Sequence, residues 1–396
     1  MIRWIGFFLA ITILLLGARK HLSLAMLAGS LILGVFTMSI GAVGREIFNT
    51  LTSPSTILLA FALTMIPIIG GVLKVSGQLE HLVQNLRIGK KAFLGSTPAI
   101  LGLMPLPGGA LLSSPLVERA GEGVSKHLKA AINVWFRHIL YFVYPISYAL
   151  IVSTDVANIP MYTAVMYLLP FFLLSIILGY YFLLRKVEGE LEYKGDFSLE
   201  KLMVPLSVLI AAPILHFILV TSFGQEYNET ATFIAISFAM VASILIIDSR
   251  VTYLKESVKQ MKPWNFTLLI FSIYIFINIF KASGIDDMIS NLSLPVLVLS
   301  VGGGFLLGVA TGRIIIPASI LFPVLMGTVG TESLPPYLFV ITYVSIFIGY
   351  AITPVHPCIA VSLEYFDADM KDYLRELMGP TLISLGVAVM VYLVFF

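Results

Sequence analysis

Two ionisable side chains stand in stretches that are otherwise apolar enough to lie in a membrane. Arg313 follows a run of glycines and aliphatic residues, and His356 stands between Pro354 and Pro357. An arginine within a bilayer is costly and usually faces the protein interior or a cavity. No obvious carboxylate lies in the apolar segments, so Arg313 either contacts an anion or has a structural role. His356 titrates near neutral pH, so it either carries a coupled proton or bonds as a neutral ring to backbone freed by the prolines.

Other polar side chains in apolar segments lead to hypotheses with open alternatives. Arg137 either braces Glu118, approaches a substrate or extends to the membrane interface. Asn133 is either a cation or substrate ligand or a hydrogen-bonding partner between helices. His216 fits a structural role, and Cys358 fits a small core residue. The six histidines are not clustered along the sequence, and we expect no metal site.

Catalytic motifs are absent from the chain. It contains no H-E-x-x-H, no phosphate-binding G-x-x-x-x-G-K-[ST] and no G-x-S-x-G nucleophile motif. We therefore expect no enzyme and no cofactor. Any transport would run on a proton or sodium gradient, or downhill.

The composition is that of a membrane protein. Hydrophobic residues make up 58% of the 396 residues and charged residues 12%, whereas soluble domains carry about twice that share of charge. The mean hydropathy is +0.98. These values predict an all-α polytopic protein whose partner is the lipid bilayer, with no role for nucleic acid. The apolar segments fall at about 4–17, 22–43, 55–73, 130–152, 158–184, 202–221, 230–247, 266–280, 336–362 and 377–396.

The apolar stretch 93–120 cannot form one straight spanning helix. Pro105, Pro107, Gly108 and Gly109 interrupt its middle, and proline and glycine both destabilise a helix interior. Each arm is too short to cross a ~30 Å hydrocarbon core. The stretch is predicted to be a re-entrant helical hairpin, with a kinked spanning helix as the alternative. Irregular backbone at that depth requires a protein or water-filled environment, which places the turn beside a pathway.

The chain also contains an internal repeat. The pattern Lys-x-Ser-Gly occurs at 74–77 and again at 281–284, an offset of 281 − 74 = 207. Pro145 and Pro354 are related by 354 − 145 = 209. Five spans in each half require the second copy to be inverted, as in many secondary transporters. We therefore expect repeats at 1–184 and 202–396, a cytoplasmic linker at 185–201, and a second hairpin at 292–327.

Each hairpin precedes a span that proline interrupts, at 144–147 and at 353–358. A broken helix exposes a half-helix N-terminus, whose free N–H groups suit a carboxylate. The carbonyls freed at the adjoining C-terminal end suit a cation. Two hairpin turns and two breaks related by the repeat predict one central site.

The basic residues are distributed unevenly between the predicted sides of the membrane. With both termini outside, the inward connections hold 19 of the 24 lysines and arginines, and the outward ones hold 3. This asymmetry fits the positive-inside rule and would collapse if either hairpin were a full span. We predict a cell (inner) membrane location with both termini outside.

Taken together, these features resemble the ion transporter superfamily, which includes gluconate permeases, citrate–proton symporters and sodium-coupled divalent-anion symporters. The run LGLMPLPGGALLSSPLVERAG at 101–121 is most similar to a branch of integral membrane proteins there without an assigned function. The resemblance implies import of a small organic anion by a homodimer, through elevator-type movement. The chain lacks the Ser-Asn-Thr signatures of the sodium-coupled dicarboxylate members.

The resemblance also implies where solute and ion bind. The family sites match Pro107, Gly108, Gly109 and Ser113, then Tyr144, Pro145 and Ser147, and in the second half Thr311, Gly312 and Arg313, then Thr353, Pro354 and His356. Of these, Tyr144, Pro145, Pro354 and His356 are candidates for the coupling ion, together with Asn133, and the others for the substrate.

Two function classes remain open on the sequence. The first is an ion-coupled secondary transporter of a small anion, in which protons are slightly favoured over sodium. The second is a membrane-embedded enzyme acting on a lipid-linked or phosphorylated substrate, with Arg313 holding a phosphate and His356 acting as base.

Overall fold

The computed structural model describes residues 1–17, 20–104, 109–193, 195–247, 250–292 and 294–395. Helices are the only regular secondary structure in these ranges. The first half of the chain forms ten α-helices: α1 (Ile2–Gly17), α2 (Leu22–Thr37), α3 (Ile40–Thr52), α4 (Pro54–Val75), α5 (Gln78–Gln84), α6 (Lys90–Gly102), α7 (Gly109–Ala120), α8 (Lys126–Ile139), α9 (Tyr148–Val156) and α10 (Met161–Phe182).

The second half forms ten more in the same order of long and short elements. They are α11 (Leu199–Phe223), α12 (Asn228–Leu245), α13 (Arg250–Met261), α14 (Trp264–Ala282), α15 (Ile285–Ser290), α16 (Gly304–Thr311), α17 (Ile315–Val329), α18 (Pro336–Ile352), α19 (Pro357–Phe366) and α20 (Met370–Phe395). A π-helical turn, Val298–Gly303, leads into α16, and short 3-10 helices lie at Leu140–Phe142, Leu184–Lys186 and Gln225–Tyr227.

The polytopic all-α fold predicted from composition is confirmed. Within the described residues, seven helices are long and apolar enough to cross a membrane. The other three predicted spans consist of shorter helices: α1, α2, and α8 with α9. Helices α1 and α2 have 16 residues each, about 24 Å at the helical rise, which is less than a ~30 Å core. Many large apolar side chains on α10, α11, α12 and α20 are exposed, as lipid-facing surfaces require.

The predicted segment 22–43 is wrong as one continuous helix. It ends as α2 at Thr37, and α3 begins at Ile40. Ser39 caps α3, because its Oγ accepts a hydrogen bond from the N–H of Ala42 at 3.3 Å. Such a cap satisfies an N–H that the helix itself leaves free. The short helices α5, α13 and α15 fall outside the predicted apolar segments, and α3 overlaps them only at residues 40–43, because hydropathy alone does not detect such helices.

The chain is interrupted at both predicted hairpins and both predicted breaks. The stretch 93–120 contains two helices, α6 and α7, that pack against each other. In the second stretch, α16 ends at Thr311, the following Gly312 is in the left-handed conformation with φ 58°, and α17 begins at Ile315. The two proline-containing breaks separate α8 from α9 and α18 from α19. The depth of these features in a bilayer stays a prediction.

The helices pack as two groups. Helices α1–α5 pack mainly with α11–α15, and we call this group the flanking bundle. Helices α6–α10 pack mainly with α16–α20, and we call this group the hairpin bundle. The flanking bundle meets the hairpin bundle chiefly where α17 contacts α14 and α15.

Several contacts between a helix of the first half and a helix of the second half have a counterpart in which the two halves exchange roles. Helix α2 packs on α14, and α12 packs on α4; likewise α3 packs on α14, and α13 packs on α4. In the hairpin bundle, α8 packs on α20 and α18 packs on α10. This pattern is what two related repeats would produce. The repeat boundaries and the inverted orientation stay predictions.

Loops predicted on one side of the membrane meet one another. Lys126 forms an ion pair with Asp367, and Lys186 forms one with Glu376; all four residues belong to segments predicted as inward. On the predicted outer side, the Ser333 hydroxyl donates to the carbonyl of Asn158 at 2.7 Å. The grouping agrees with the predicted topology, while the assignment of inside and outside stays a prediction.

Candidate functional site

A cavity of about 800 Å³ lies where the hairpins approach the helix breaks. We call it the central cavity. The lining includes Gly109 from the first hairpin, Gly312 and Arg313 from the second, and His356 from the second break; we call this part of the lining the inner wall. The lining also includes residues 20–24 and six of the residues between 262 and 269, which begin in connections predicted to face the cytoplasm. The volume suits a small-molecule site, since such pockets typically hold about 300–1,000 Å³.

The central cavity is lined by basic groups. Lys20, Arg137, Lys262 and Arg313 border it, and none of the described residues that line it is an aspartate or glutamate. An uncompensated set of cationic side chains in a concave site concentrates anions. The lining therefore favours a negatively charged occupant.

Arg137 on α8 holds the first hairpin. Its guanidinium donates to the Leu101 carbonyl at 3.2 Å and approaches the Ser113 hydroxyl at 3.4 Å. A Cβ on Gly102 would lie 1.8 Å from the Arg137 carbonyl oxygen, and one on Gly109 would lie 2.1 Å from its Nη2 atom. Both glycines therefore allow α8 to approach the hairpin. The predicted alternative in which Arg137 braces Glu118 is wrong, because Lys129 pairs with that carboxylate at 2.7 Å.

Arg313 has a different environment at the turn of the second hairpin. Its backbone N–H donates to the Thr311 hydroxyl at 3.3 Å, which fixes the turn. A Cβ on Gly312 would lie 2.8 Å from the backbone nitrogen of His356, so glycine allows the turn to approach the second break. The half-buried side chain of Arg313 has no ion pair or hydrogen bond with another described residue.

Four residues predicted to bind the substrate or the ion form hydrogen bonds with backbone groups and do not line the cavity. Ser147 caps α9 by accepting from the N–H of Leu150 at 3.3 Å. Thr353 donates to the Val309 carbonyl at 2.7 Å, and Thr311 donates to the Leu307 carbonyl at 2.8 Å. Tyr144 donates to the Leu209 carbonyl at 2.9 Å. None of the four lines the central cavity.

The remaining predicted residues are divided between the cavity wall and its surroundings. Gly109, Gly312, Arg313 and His356 line the central cavity, whereas Ser113, Asn133, Pro145 and Pro354 do not. Pro107 and Gly108 lie outside the described residues.

Asn133 links the first hairpin to the second broken helix. Its side-chain amide donates to the hydroxyls of Ser114 on α7, at 3.1 Å, and Ser362 on α19, at 3.0 Å. Its Oδ1 atom is buried without a partner in the described part of the chain. The residue therefore joins two elements and keeps one free oxygen.

A cluster of rings that the sequence did not indicate lines the inner wall of the cavity. The ring centre of His356 lies 4.1 Å from that of Tyr350 and 4.9 Å from that of His138. Tyr141 lies 5.5 Å from His138. Tyr141 and Tyr350 are related by 350 − 141 = 209, which is also the offset of the two prolines. The repeat was thus a signal that could have identified both tyrosines.

The same cluster brings together groups that bind metals. One side-chain ligand atom each from His138, His356 and Cys358 lies within 4.8 Å of the other two. The sequence did not indicate this grouping, because more than 200 residues separate His138 from the other two. Only the packing of α19 on α8 joins them.

The fold is similar to that of a solved transporter. The crystal structure titled as the YdaH transporter of Alcanivorax borkumensis has 15% sequence identity and a TM-score of 0.56. The match covers 98% of this chain and 97% of that chain. At this identity the likeness shows the fold alone.

No curated protein matches the chain. A family model described as "Protein of unknown function (DUF401)" matches residues 4–395. The match covers nearly the whole chain, which therefore belongs to that family.

Proposed function

We propose that this protein is a secondary transporter that carries a small organic anion, most simply a carboxylate, through the central cavity. The observation that carries the proposal is the lining of that cavity. Four basic side chains border a space of about 800 Å³, and none of the described lining residues is acidic. Its size fits a small solute, and its charge selects an anion.

The arrangement of the bundles supports alternating access. The cavity includes residues of both the flanking bundle and the hairpin bundle. Three tyrosine hydroxyls bridge the bundles: Tyr144 to Leu209 at 2.9 Å, Tyr162 to His216 at 2.7 Å, and Tyr274 to Asp155 at 2.8 Å. Elevator-type movement of the hairpin bundle would break these few polar contacts. Similarity to a fold titled as a transporter agrees with this proposal.

The proposed driving force is a gradient of protons or sodium. No nucleotide-binding motif indicates another energy source. The buried Oδ1 of Asn133, which has no partner among the described residues, is a candidate cation ligand. Uptake measured with sodium and pH varied separately assigns the coupling ion. Membership of the ion transporter superfamily, the homodimer and the inner-membrane location stay predictions.

A screen of ligand-induced stabilisation tests the anion preference. Purified protein in detergent is heated with organic anions, with matched neutral amides and with organic cations. A ligand that binds the folded state raises the unfolding temperature by mass action. We expect stabilisation by anions alone; stabilisation by neutral or cationic compounds alone would contradict the proposal.

Uptake into proteoliposomes then tests transport. We expect a stabilising anion to accumulate chemically unchanged when an ion gradient is applied. Lys262→Gln should weaken uptake because Lys262 lines the cavity. The matched control is Lys259→Gln, which removes an exposed lysine from α13 outside the cavity lining. Conversion of the anion into a product without a gradient would instead identify an enzyme.

A further inference from the structure

We propose that His138, His356 and Cys358 bind a thiophilic transition-metal ion of the Zn²⁺ type at the inner wall of the central cavity. One ligand atom from each of the three residues lies within 4.8 Å of the others. Imidazole nitrogen and thiolate sulfur are the ligands that zinc prefers. The site joins α8 of the first half to the second break and α19 of the second half.

The two histidine rings already have the separation that a shared ion requires. Their centres are 4.9 Å apart and their planes cross at 70°. Two imidazoles bound to one tetrahedral ion, with metal–nitrogen bonds of about 2.0 Å, have ring centres roughly 5 Å apart. The ligand atoms need to close by about 1 Å to reach tetrahedral separations. Rotation of the Cys358 side chain and small ring tilts would have to provide this movement.

The two histidine rings differ in their hydrogen bonds. The Nδ1 atom of His138 lies 2.8 Å from the Val134 carbonyl. A carbonyl only accepts, so Nδ1 carries the proton and Nε2 keeps its lone pair, as is common for metal-ligating histidines. Neither ring nitrogen of His356 makes a complete hydrogen bond with the described residues, although the Gly312 backbone interacts with the ring and only 5% of the residue is exposed. A bound ion would satisfy one of the two nitrogens.

The surrounding charge indicates how the ion would bind. The Arg137 guanidinium lies beside the Cys358 thiol. Arg137 and Arg313 also act electrostatically on His356, which opposes a divalent cation. Three protein ligands leave a fourth position open, as in catalytic zinc sites. An anion from the cavity in that position would offset the positive charge, so metal and anion should bind cooperatively.

Only this cooperativity rests on the proposed function, because metal binding can be measured without an anion or transport. An ion on His356 also excludes that residue as a proton carrier while the metal is bound. The proposal therefore assigns proton coupling, if it occurs, to another group.

Titration with Co²⁺ tests the site directly. Purified protein is reduced, freed of chelators and titrated with cobalt chloride. We expect one equivalent to produce a thiolate-to-cobalt band in the near ultraviolet and visible bands of tetrahedral intensity. Zinc should displace both sets of bands. Absence of the thiolate band in the folded wild-type protein would overturn the proposal.

Substitutions locate the ion. Cys358→Ser should remove the thiolate band, and His138→Gln or His356→Gln should weaken cobalt binding by at least about tenfold. The matched control is His216→Gln, because His216 is another buried histidine, bonded to Tyr162 and Thr232, outside the cavity. Binding that persists in all three site variants, or is lost equally in the control, would overturn the assignment.

Alkylation of the wild-type protein provides a test that does not depend on a variant folding. Cys358 is the single cysteine, so one added mass reports its reaction with a maleimide. We expect zinc to slow alkylation by at least about tenfold and a chelator to restore it. Equal rates with and without zinc would overturn the proposal. If metal binds but the stabilising anion leaves metal affinity unchanged, the cooperativity is refuted and the metal site stands.

Discussion

The two arginines that line the central cavity differ in their burial and in the partners of their guanidinium groups. Arg137 is 4% exposed, and its guanidinium contacts the Leu101 carbonyl and the Ser113 hydroxyl of the first hairpin. Arg313 is half-buried at the turn of the second hairpin and has no side-chain partner among the described residues. One arginine is therefore a structural brace, and the other is available to a solute.

The difference shows that a charge in an apolar segment does not by itself identify a ligand-binding residue. A buried guanidinium needs partners, and Arg137 obtains them from the hairpin because Gly102 and Gly109 allow a close approach. The turn around Arg313 provides only backbone contacts to the Thr311 hydroxyl. The following predictions separate a bracing arginine from one that binds an anion.

The largest effect is expected where α8 meets the first hairpin. Gly102→Ala places a Cβ 1.8 Å from the Arg137 carbonyl oxygen, so the backbone must shift. We expect about 3 kcal/mol lower stability, measured as a lower unfolding temperature in detergent. Gly386→Ala is the control, because its Cβ would meet nothing within 4 Å. Equal unfolding temperatures for the two variants would contradict the close approach.

The next effect concerns the brace itself. Arg137→Gln removes a charge-assisted hydrogen bond to the Leu101 carbonyl, and we expect about 2 kcal/mol lower stability. Arg45→Gln on α3 removes an exposed arginine and serves as the control. Thermal unfolding without ligand measures both. A variant as stable as the wild type that has lost anion binding would show that Arg137 is a ligand instead of a brace.

Arg313 should show the opposite behaviour. Arg313→Gln removes a guanidinium that has no side-chain partner among the described residues, and we expect anion affinity to fall about tenfold to a hundredfold, the equivalent of one charge-assisted hydrogen bond. Stability without ligand should change little. Arg313→Lys should recover little of the affinity, because an ammonium cannot replace the planar fork. Unchanged anion affinity in both variants would return Arg313 to a structural role.

The sequence predicted the interruptions of this fold better than the contacts around them. Proline and glycine act on their own backbone, so the breaks at Pro145 and Pro354 and the turn at Gly312 could be located from sequence. The direction in which a serine or threonine hydroxyl points could not be predicted from sequence. Ser147 caps its own helix, a local alternative that short polar side chains have, whereas Thr353 bonds to the Val309 carbonyl of α16, a tertiary contact.

The ring cluster shows a second limit. His138 and His356 meet through the packing of α8 near the second break, a tertiary contact between residues that are remote in sequence. Helix α13 and most of α3 were not predicted from sequence, for a different reason. Their residues do not form the continuous apolar runs by which the spans were identified, so hydropathy alone cannot delimit them.

The smallest effect decides between two roles for Ser113. The family resemblance predicts that it contacts substrate, whereas the structure places its hydroxyl 3.4 Å from the Arg137 guanidinium and 3.3 Å from the Ala110 carbonyl, fully buried. Ser113→Ala should therefore lower stability by about 1 kcal/mol or less, because a long hydrogen bond contributes little. Anion affinity, measured by titrated thermal shift beside Arg313→Gln, should match that of the wild type. A loss comparable to that of Arg313→Gln would place Ser113 at the solute and make the two hairpins equal contributors to the site.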